Sequence, residues 1–332
     1  MSLTEPSDGS TFAPGGVLKF ANPDITAKGE ERARVPLEAL ETLWINTGSL
    51  CNIECVNCYI ESSPSNDRLA YISPEEVVAY LDEIAVLGLA TGEIGFTGGE
   101  PFMNSGMIEM AEAALARGHQ VLILTNAMVP MQRPRVKAGL LRLRDEYGGR
   151  LTIRVSLDHY SQDLHDKERG EGSWASALAG TDWLAENGFA LTICGRTCWG
   201  DTEAAARAGY ARLFAQRGWP VDPNDPVRLV LLPEMDERMD VPEITTACWD
   251  ILGKSPSEMM CANSRMVVKR KGADKPAVLP CTLLPYLPAF EMGATLAEAA
   301  TADGGMFDEG AVKLCHPHCA KFCVLGGGSC SA

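Results

Sequence analysis

Three cysteines lie close together in the run CNIECVNCY: Cys51, Cys55 and Cys58. Thiolates are the usual protein ligands of iron–sulfur clusters, and three of them on one short loop can hold three corners of a four-iron cube. The fourth iron of such a cube has no protein ligand, so it can bind a small molecule and give it an electron. The spacing C-x3-C-x2-C therefore indicates both a cofactor and a class of reaction.

A second motif follows about 40 residues later in the run GFTGGEPFMN, which contains Gly98, Gly99, Glu100 and Pro101. Together the two motifs resemble the signature of the radical S-adenosylmethionine enzymes, and the resemblance extends from about residue 40 to the end. It implies that the open iron binds the amino and carboxylate groups of S-adenosylmethionine. Cleavage by one electron would then give a 5'-deoxyadenosyl radical that abstracts hydrogen from a substrate. The GGEP loop would receive the methionine amino group, with Glu100 supplying the negative charge and the glycines allowing close backbone approach.

The resemblance implies roles for four further residues. Tyr59 would place its ring and backbone near the adenine, with simple packing as the alternative. Ser156 would hydrogen-bond the ribose or the carboxylate of S-adenosylmethionine, with a strand-end serine as the alternative. Arg196 would pair with the methionine carboxylate through a two-pronged contact, with a surface arginine as the alternative. Asn126 is a further cofactor-binding candidate.

Two other interpretations of the three-cysteine loop fit the residues less well. Structural zinc sites are closed by four ligands, often as two C-x2-C pairs, and three cysteines on one loop match that arrangement poorly. Disulfides are disfavoured because the short loop offers poor geometry and no secretory signal precedes it. The sequence therefore predicts an iron–sulfur cluster at this loop.

Several other polar residues follow predicted strands. Asp158 ends the fourth predicted strand, whereas His159 and His165 lie in a polar stretch that favours solvated side chains over catalytic ones. Cys194 ends an apolar run and is predicted to lie in the core. Cys198 follows Arg196 towards the proposed opening, so a redox or acid/base role is a hypothesis that the activity of Cys198→Ala would test.

Short apolar runs alternate with helical segments from Leu43 onwards, a pattern typical of buried parallel strands with helices outside. The predicted strands are 43–47, 93–97, 121–125, 151–158, 189–194 and 227–232. One predicted helix begins at Ser73, with Pro74 in its first turn and a capping box to Glu76. Its apolar residues at helical spacing are Val77, Leu81, Ile84, Val86 and Leu87. Two more helices are predicted at about 105–117 and 174–187.

Alternation alone does not separate an open sheet from a barrel; the family resemblance implies a partial (β/α)6 TIM-like barrel. The predicted organisation is an irregular lead-in over 1–40, a barrel over 41–245 and a small Cys-rich β-hairpin/helix extension over 246–332. The lead-in is too short for the leader-binding domain that some peptide-modifying relatives carry. The two motifs, and residues including Glu234 and Asp236 after the sixth strand, all follow strand ends, where ligands collect in such folds.

A second group of cysteines occupies the C-terminal third of the chain. Its members are Cys261, Cys281, Cys315, Cys319, Cys323 and Cys330. Two short strands around a polar turn are predicted between the first two, and four cysteines follow within the tail. The arrangement resembles the auxiliary-cluster extensions called SPASM and twitch domains, although the final cysteine of the SPASM pattern is missing.

The six cysteines are enough for one auxiliary [4Fe-4S] cluster but not for two all-cysteine clusters, which need eight ligands. We expect at least one auxiliary cluster held by Cys261, Cys281 and two tail cysteines. His316 and His318 are conceivable ligands, though surface positions are favoured. A zinc knuckle is the alternative, because thiolate sets suit both metals.

Composition limits the remaining possibilities. The chain has 332 residues, 46% hydrophobic content and a formal net charge of -15, so nucleic acid is not an expected partner. The sequence contains no run of about 18 apolar residues and no apolar signal core, which predicts a cytoplasmic protein with no membrane partner.

The function expected is a radical enzyme acting on a small metabolite, with an auxiliary cluster assisting oxidation or electron transfer and an external electron donor such as flavodoxin or ferredoxin. A peptide or protein side-chain maturase of the same superfamily is the alternative. A non-catalytic iron–sulfur electron carrier is a second alternative, but a carrier has no need for an open iron or an ammonium-binding loop beside it.

Overall fold

A computed structural model describes residues 18–233 and 239–327. Its strands are β1 (Arg34–Val35), β2 (Thr42–Asn46), β3 (Glu93–Thr97), β4 (Gln120–Thr125), β5 (Leu151–Ser156), β6 (Ala190–Arg196), β7 (Leu229–Leu232), β8 (Ser264–Val268), β9 (Ala277–Leu279), β10 (Phe307–Asp308) and β11 (Ala311–Lys313). Its α-helices are α1 (Pro74–Leu87), α2 (Met107–Ala116), α3 (Val129–Gln132), α4 (Pro134–Tyr147), α5 (Gln162–Arg169), α6 (Ser173–Glu186), α7 (Glu203–Arg217), α8 (Cys248–Leu252), α9 (Met260–Asn263) and α10 (Leu296–Ala300). A π-helix spans Cys319–Leu325.

The main sheet has the strand order β7-β6-β5-β4-β3-β2-β8-β9. Strands β2 to β7 pair in chain order and all run parallel, so their carboxyl ends meet at one edge. Each of the six predicted strands is present with its ends shifted by a few residues at most. The architecture confirms the predicted α/β fold with a partial TIM-like barrel.

Helix α1 shows how local sequence sets the boundaries of these elements. The Ser73 hydroxyl accepts from the backbone N–H of Glu76 at 3.2 Å, and the Glu76 carboxylate accepts from the Ser73 N–H at 2.9 Å. Pro74 occupies the first turn and Gly88 ends the helix in the left-handed region at φ 64°. These contacts satisfy free N–H groups at the start of the helix and confirm the predicted capping box.

The buried face of α1 is narrower than the sequence indicated. Val77, Leu81 and Ile84 are buried as predicted. Val86 and Leu87, which the apolar spacing also assigned to this face, are 84% and 42% exposed. The last turn of the helix therefore faces solvent.

The predicted hairpin after Cys261 is present as β8 and β9, which pair antiparallel. The sequence did not indicate that β8 also pairs parallel with β2, with Thr42 opposite Ser264. The C-terminal region therefore continues the barrel sheet.

The lead-in is not wholly irregular, because β1 pairs with β11 and β10 completes a three-stranded sheet. The side chains of Arg32 and Glu243, both buried, form an ion pair at 2.6 Å that holds the lead-in in place. Within the described residues no helix has the length and apolar content needed to cross a bilayer.

Candidate functional site

A cavity of about 160 Å³ lies at the carboxyl ends of the parallel strands. Residues at or after the ends of all six strands line it. They include Cys51, Cys55, Cys58, Tyr59, Gly98, Gly99, Thr125, Asn126, Ser156, Arg196 and Leu232. Glu234 and Asp236, predicted at the same opening, lie outside the described residues. Strands that share one direction thus bring together residues up to 181 positions apart, from Cys51 to Leu232.

The three-cysteine loop follows β2 and contains little regular structure. The Cys51 N–H donates to the Ser63 carbonyl at 3.0 Å, and the Ser62 N–H donates to the Cys58 sulfur at 3.3 Å. Burial raises the pKa of the Cys51 thiol to about 12 and that of Cys55 to about 11. These thiols form no disulfide with other described residues.

The donor set of this loop fits an iron–sulfur cluster, because three thiols line one cavity together with the glycine backbone of the second motif. Among the described residues no three His, Cys, Asp or Glu side chains converge on the position of a single metal ion. Cys51, Cys55 and Cys58 would hold the cluster.

Gly98 and Gly99 are required by packing against the cysteine loop. A Cβ at Gly99 would lie 2.2 Å from the Leu50 carbonyl oxygen, and one at Gly98, whose φ is +140°, would lie 2.6 Å from the Gly48 oxygen. The Gly99 N–H donates to Gly48 at 2.8 Å, and the Glu100 N–H donates to Leu50 at 3.1 Å. The two motifs therefore form one interlocked unit. This packing requires glycine at both positions, in addition to the close approach of a ligand that the sequence suggested.

Glu100 is 1% exposed and its carboxylate joins two loops. It accepts hydrogen bonds from the Thr125 hydroxyl at 2.8 Å, the Asn126 N–H at 2.8 Å and the Phe102 N–H at 3.2 Å. Burial raises the pKa of Glu100 to about 7, against the opposing effect of these donors. An ammonium group at the neighbouring glycines would favour the charged form.

Asn126 lies beside the first cysteine. Its amide nitrogen is 3.9 Å from the Cys51 sulfur and donates to the Asn52 side chain at 2.9 Å. Ala127, the next residue, has φ +58°, an unusual value for a residue with a side chain. Hydrogen bonds to a cluster's sulfur ligands are among the factors that tune it, so this position suits both cofactor and cluster contact.

Tyr59, Ser156 and Arg196 line the cavity. The Arg196 guanidinium is nonetheless engaged within the protein: Nη1 donates to the Glu168 carboxylate at 2.9 Å and approaches the Asn57 carbonyl at 3.4 Å. Any contact of Arg196 with a ligand carboxylate would be made from within this ion pair.

The end of α5 is part of the site, although the sequence did not indicate it. Glu168 and Arg169 both line the cavity, and Arg169 forms a two-pronged ion pair with Asp158 at 2.6 and 3.1 Å. Burial acts to raise the pKa of Asp158, but the charge and hydrogen bonds of Arg169 outweigh it and hold that pKa below its usual value. A short polar helix gives no periodic signal for this role, since only the fold turns its last residues inward.

The two histidines of the polar stretch are buried, contrary to the expectation of solvated side chains. His159 is 4% exposed and hydrogen-bonds Ser161 at 2.8 Å and Asp201 at 3.1 Å. His165 is fully buried, and burial lowers its pKa to about 4. Cys194 and Cys198 are both half-buried.

A second, much smaller cavity of about 20 Å³ lies in the C-terminal region. Four thiols line it: Cys261 of α9, Cys281 after β9, and Cys319 and Cys323 of the π-helix. Single π-helical turns are rare and are frequently found at functional sites. Four cysteines are the number that one [4Fe-4S] cluster needs.

The other tail residues are placed differently. The Cys315 sulfur donates to the Phe20 carbonyl at 3.1 Å and so faces the lead-in. His316 and His318, expected at the surface, are 5% and 4% exposed, and His318 lines the small cavity. Cys330 lies outside the described residues.

Arg265 is a fully buried cation beside this cavity. It is 1% exposed, and its guanidinium donates to the carbonyls of Cys261 at 2.6 Å and Ser264 at 2.8 Å. Within the part of the chain described, it forms no ion pair with a carboxylate, and Cys261 and Cys281 are the groups that favour its charged form. A buried cation without a counter-charge is costly, so the site favours an anionic occupant.

Comparison with known proteins relates the barrel to one superfamily. Residues 45–200 match the Radical SAM superfamily. The antilisterial bacteriocin subtilosin biosynthesis protein AlbA of Bacillus subtilis is 29% identical over 170 residues, 51% of this chain and 35% of AlbA. A GTP 3',8-cyclase of Pseudomonas savastanoi is 29% identical over 146 residues, 43% of this chain and 40% of the cyclase. The matches thus span well under half of these relatives.

The fold resemblance extends further than the sequence match. Streptococcus suis SuiB, in its crystal structure with the precursor peptide SuiA, superposes with a TM-score of 0.59 at 12% identity. The superposition covers 81% of this chain and 66% of SuiB. At this identity the similarity establishes the fold.

Proposed function

We propose that this chain is a member of the radical S-adenosylmethionine superfamily that binds a [4Fe-4S] cluster at Cys51, Cys55 and Cys58 and uses it to start hydrogen abstraction from a substrate. The observation that carries the proposal is the cavity at the strand ends, where the three thiols meet the interlocked Gly98 and Gly99. An electron carrier has no use for a cavity beside its cluster.

When bound, the cluster supplies the electron that cleaves S-adenosylmethionine to a 5'-deoxyadenosyl radical. The chain's own residues bind and orient the cofactor. On our proposal the backbone at Gly98 and Gly99 with the Glu100 carboxylate receives the ammonium group, and Ser156 and Arg196 meet the ribose or carboxylate. Asn126 and Tyr59 complete the wall. Glu100, Asn126 and Arg196 are buried, and the low dielectric around them strengthens their polar contacts.

We also propose one auxiliary [4Fe-4S] cluster held by Cys261, Cys281, Cys319 and Cys323. The four thiols line one cavity, and the buried cation Arg265 beside it favours an anionic occupant, such as a cluster held by four thiolates. Such a cluster would accept the product electron or relay it, which suits an oxidation or a cross-link. An external donor such as flavodoxin or ferredoxin would supply the first electron.

For the substrate we propose a peptide or protein side chain, the alternative that the sequence left open beside a small metabolite. Support comes from SuiB, whose structure contains a precursor peptide, and from AlbA, which serves the biosynthesis of a bacteriocin. The match to a GTP cyclase supports the small-molecule alternative.

The test uses protein reconstituted anaerobically with iron and sulfide. With dithionite and S-adenosylmethionine, we expect 5'-deoxyadenosine and about eight irons per chain, four for each cluster. The variant Cys51→Ala/Cys55→Ala/Cys58→Ala should keep about four irons and make no 5'-deoxyadenosine. Intact S-adenosylmethionine with a loaded, reducible first cluster would favour the electron carrier instead.

A second assay separates the substrate classes. A library of synthetic peptides and GTP are added separately to the active enzyme, and products are followed by mass spectrometry. Substrate-dependent 5'-deoxyadenosine with a mass change in a peptide would support the peptide proposal, whereas turnover with GTP alone would overturn it.

A further inference from the structure

Glu168 contacts the cysteine loop midway between its second and third cysteines. Its carboxylate accepts from the Asn57 N–H at 2.9 Å and from the Asn57 side-chain amide at 2.8 Å. Its backbone carbonyl accepts from the Val56 N–H at 2.9 Å. One residue at the end of α5 therefore takes up three donors from the two residues that separate Cys55 from Cys58.

Glu168 is the buried partner of this contact, whereas Asn57 is exposed, and a buried arginine balances the charge of the carboxylate. Glu168 is 3% exposed, and Arg196 of β6, which is 6% exposed, donates to the same carboxylate oxygen as the Asn57 N–H, at 2.9 Å. The loop after β2 is thereby tied to α5 and to β6, two elements of the barrel. Charge-assisted hydrogen bonds of this kind are shorter and stronger than neutral ones.

We propose that Glu168 is a positioning residue that fixes Cys55 and Cys58 at the spacing a cluster requires, an inference that rests on the proposed cluster at this loop. The loop has little secondary structure to hold its thiols apart, and its two ends are tied by other contacts: Cys51 to Ser63, and Cys58 to Ser62. The contacts of Glu168 with Val56 and Asn57 hold the segment between Cys55 and Cys58.

The proposal is tested by first breaking the contact and then restoring it with the two side-chain types exchanged. Asn57→Asp places a second carboxylate against that of Glu168, and the two repel each other. A chelator should then remove iron from the first cluster faster, by roughly 10–100-fold, the usual effect of changing a residue that supports metal ligands. Adding Glu168→Gln restores a complementary pair, because the amide introduced at position 168 can donate to the carboxylate introduced at position 57. Its amide oxygen can still accept from the backbone N–H of position 57. The double variant should recover to within about threefold of the parent protein.

Two controls isolate the effect. Glu171→Gln changes an exposed acid three residues away and should release iron at the parent rate. The triple variant Cys51→Ala/Cys55→Ala/Cys58→Ala measures iron bound elsewhere, which is subtracted. The electron paramagnetic resonance spectrum of the reduced first cluster supplies a readout other than activity, and it should change in Asn57→Asp and return in the double variant.

Each result decides one question. If the parent protein holds no more iron than the triple variant, the proposed cluster is wrong. If the parent holds it and Asn57→Asp releases it at the same rate, Glu168 does not position the loop. A double variant as weak as Asn57→Asp would also overturn the proposal, because the effect would then belong to the introduced carboxylate alone and not to the pair.

Discussion

Replacing Gly99 by alanine should separate the two motifs of the site. The added Cβ would lie 2.2 Å from the Leu50 carbonyl oxygen and 2.8 Å from the Ser49 oxygen. Both are backbone atoms, so no flexible side chain can move aside. Ordinary contact begins at 3.4 Å, so the two loops must separate by about 1.2 Å, the difference between 3.4 and 2.2 Å.

The energetic cost follows from what this separation breaks. The Gly99 N–H bond to Gly48 at 2.8 Å and the Glu100 N–H bond to Leu50 at 3.1 Å would both exceed hydrogen-bonding distance. Each lost bond costs about 1 kcal/mol and overpacking at least about 1 kcal/mol more, so we expect a loss of about 3 kcal/mol in the free energy of unfolding. The cysteine loop would shift with Leu50, next to Cys51, and the first cluster should assemble poorly.

The assay is anaerobic chemical unfolding of the apo protein, followed by an iron count after reconstitution. Gly92→Ala is the matched control, since a Cβ there meets nothing within 4 Å and its φ lies outside the left-handed region. It should leave iron content unchanged and stability the same or about 0.4–1 kcal/mol higher. A Gly99→Ala protein as stable and as iron-loaded as the control would refute the packing argument.

Two further predictions concern the auxiliary site and the buried acid. Cys319→Ser should lower the iron content by about four per chain, whereas Cys315→Ser should keep it, because only the first of these sulfurs lines the small cavity; equal losses would contradict the four-cysteine set. Folding raises the pKa of Glu100 from 4.5 to about 7, so the folded apo protein binds the Glu100 proton more tightly than the unfolded chain does. The free energy of unfolding should therefore fall as pH rises from 4.5 to 7, by an amount on the order of 3 kcal/mol. Unfolding at pH 5 and pH 8 measures this fall, which should shrink in Glu100→Gln; an unchanged slope would contradict the assignment.

Local signals were sufficient to predict the elements of the barrel. Short apolar runs indicated the strands, and the capping box at Ser73 predicted the start of α1 to the residue. Because parallel strands place their carboxyl ends together, the order of the motifs along the chain was enough to predict one shared opening. The cavity lined from all six strand ends agrees with that reasoning.

Contacts between distant segments could not be predicted in this way. The Glu168 contact joins residues 111 positions apart, and α5 carries no apolar period that would mark its last turn as buried. His165, also on α5, is buried although its neighbours in sequence are polar, so its burial too could not be predicted from local sequence. Parallel pairing of β8 with β2 and antiparallel pairing of the lead-in with β11 depend on tertiary packing, which local propensity does not encode.

The segment that follows Cys281 connects the two candidate cluster sites physically. The Tyr286 hydroxyl donates to the Ile60 carbonyl at 2.7 Å, just beyond the cysteine loop. A cavity of about 140 Å³ beside it shares Tyr59 with the first site and His318 with the auxiliary site. Since β8 also extends the sheet from β2, the auxiliary region is joined to the barrel by backbone pairing as well as by these side chains. The proposed auxiliary cluster, if it is to take an electron from a substrate in the first cavity, needs a fixed position relative to that cavity, and this double connection would supply one.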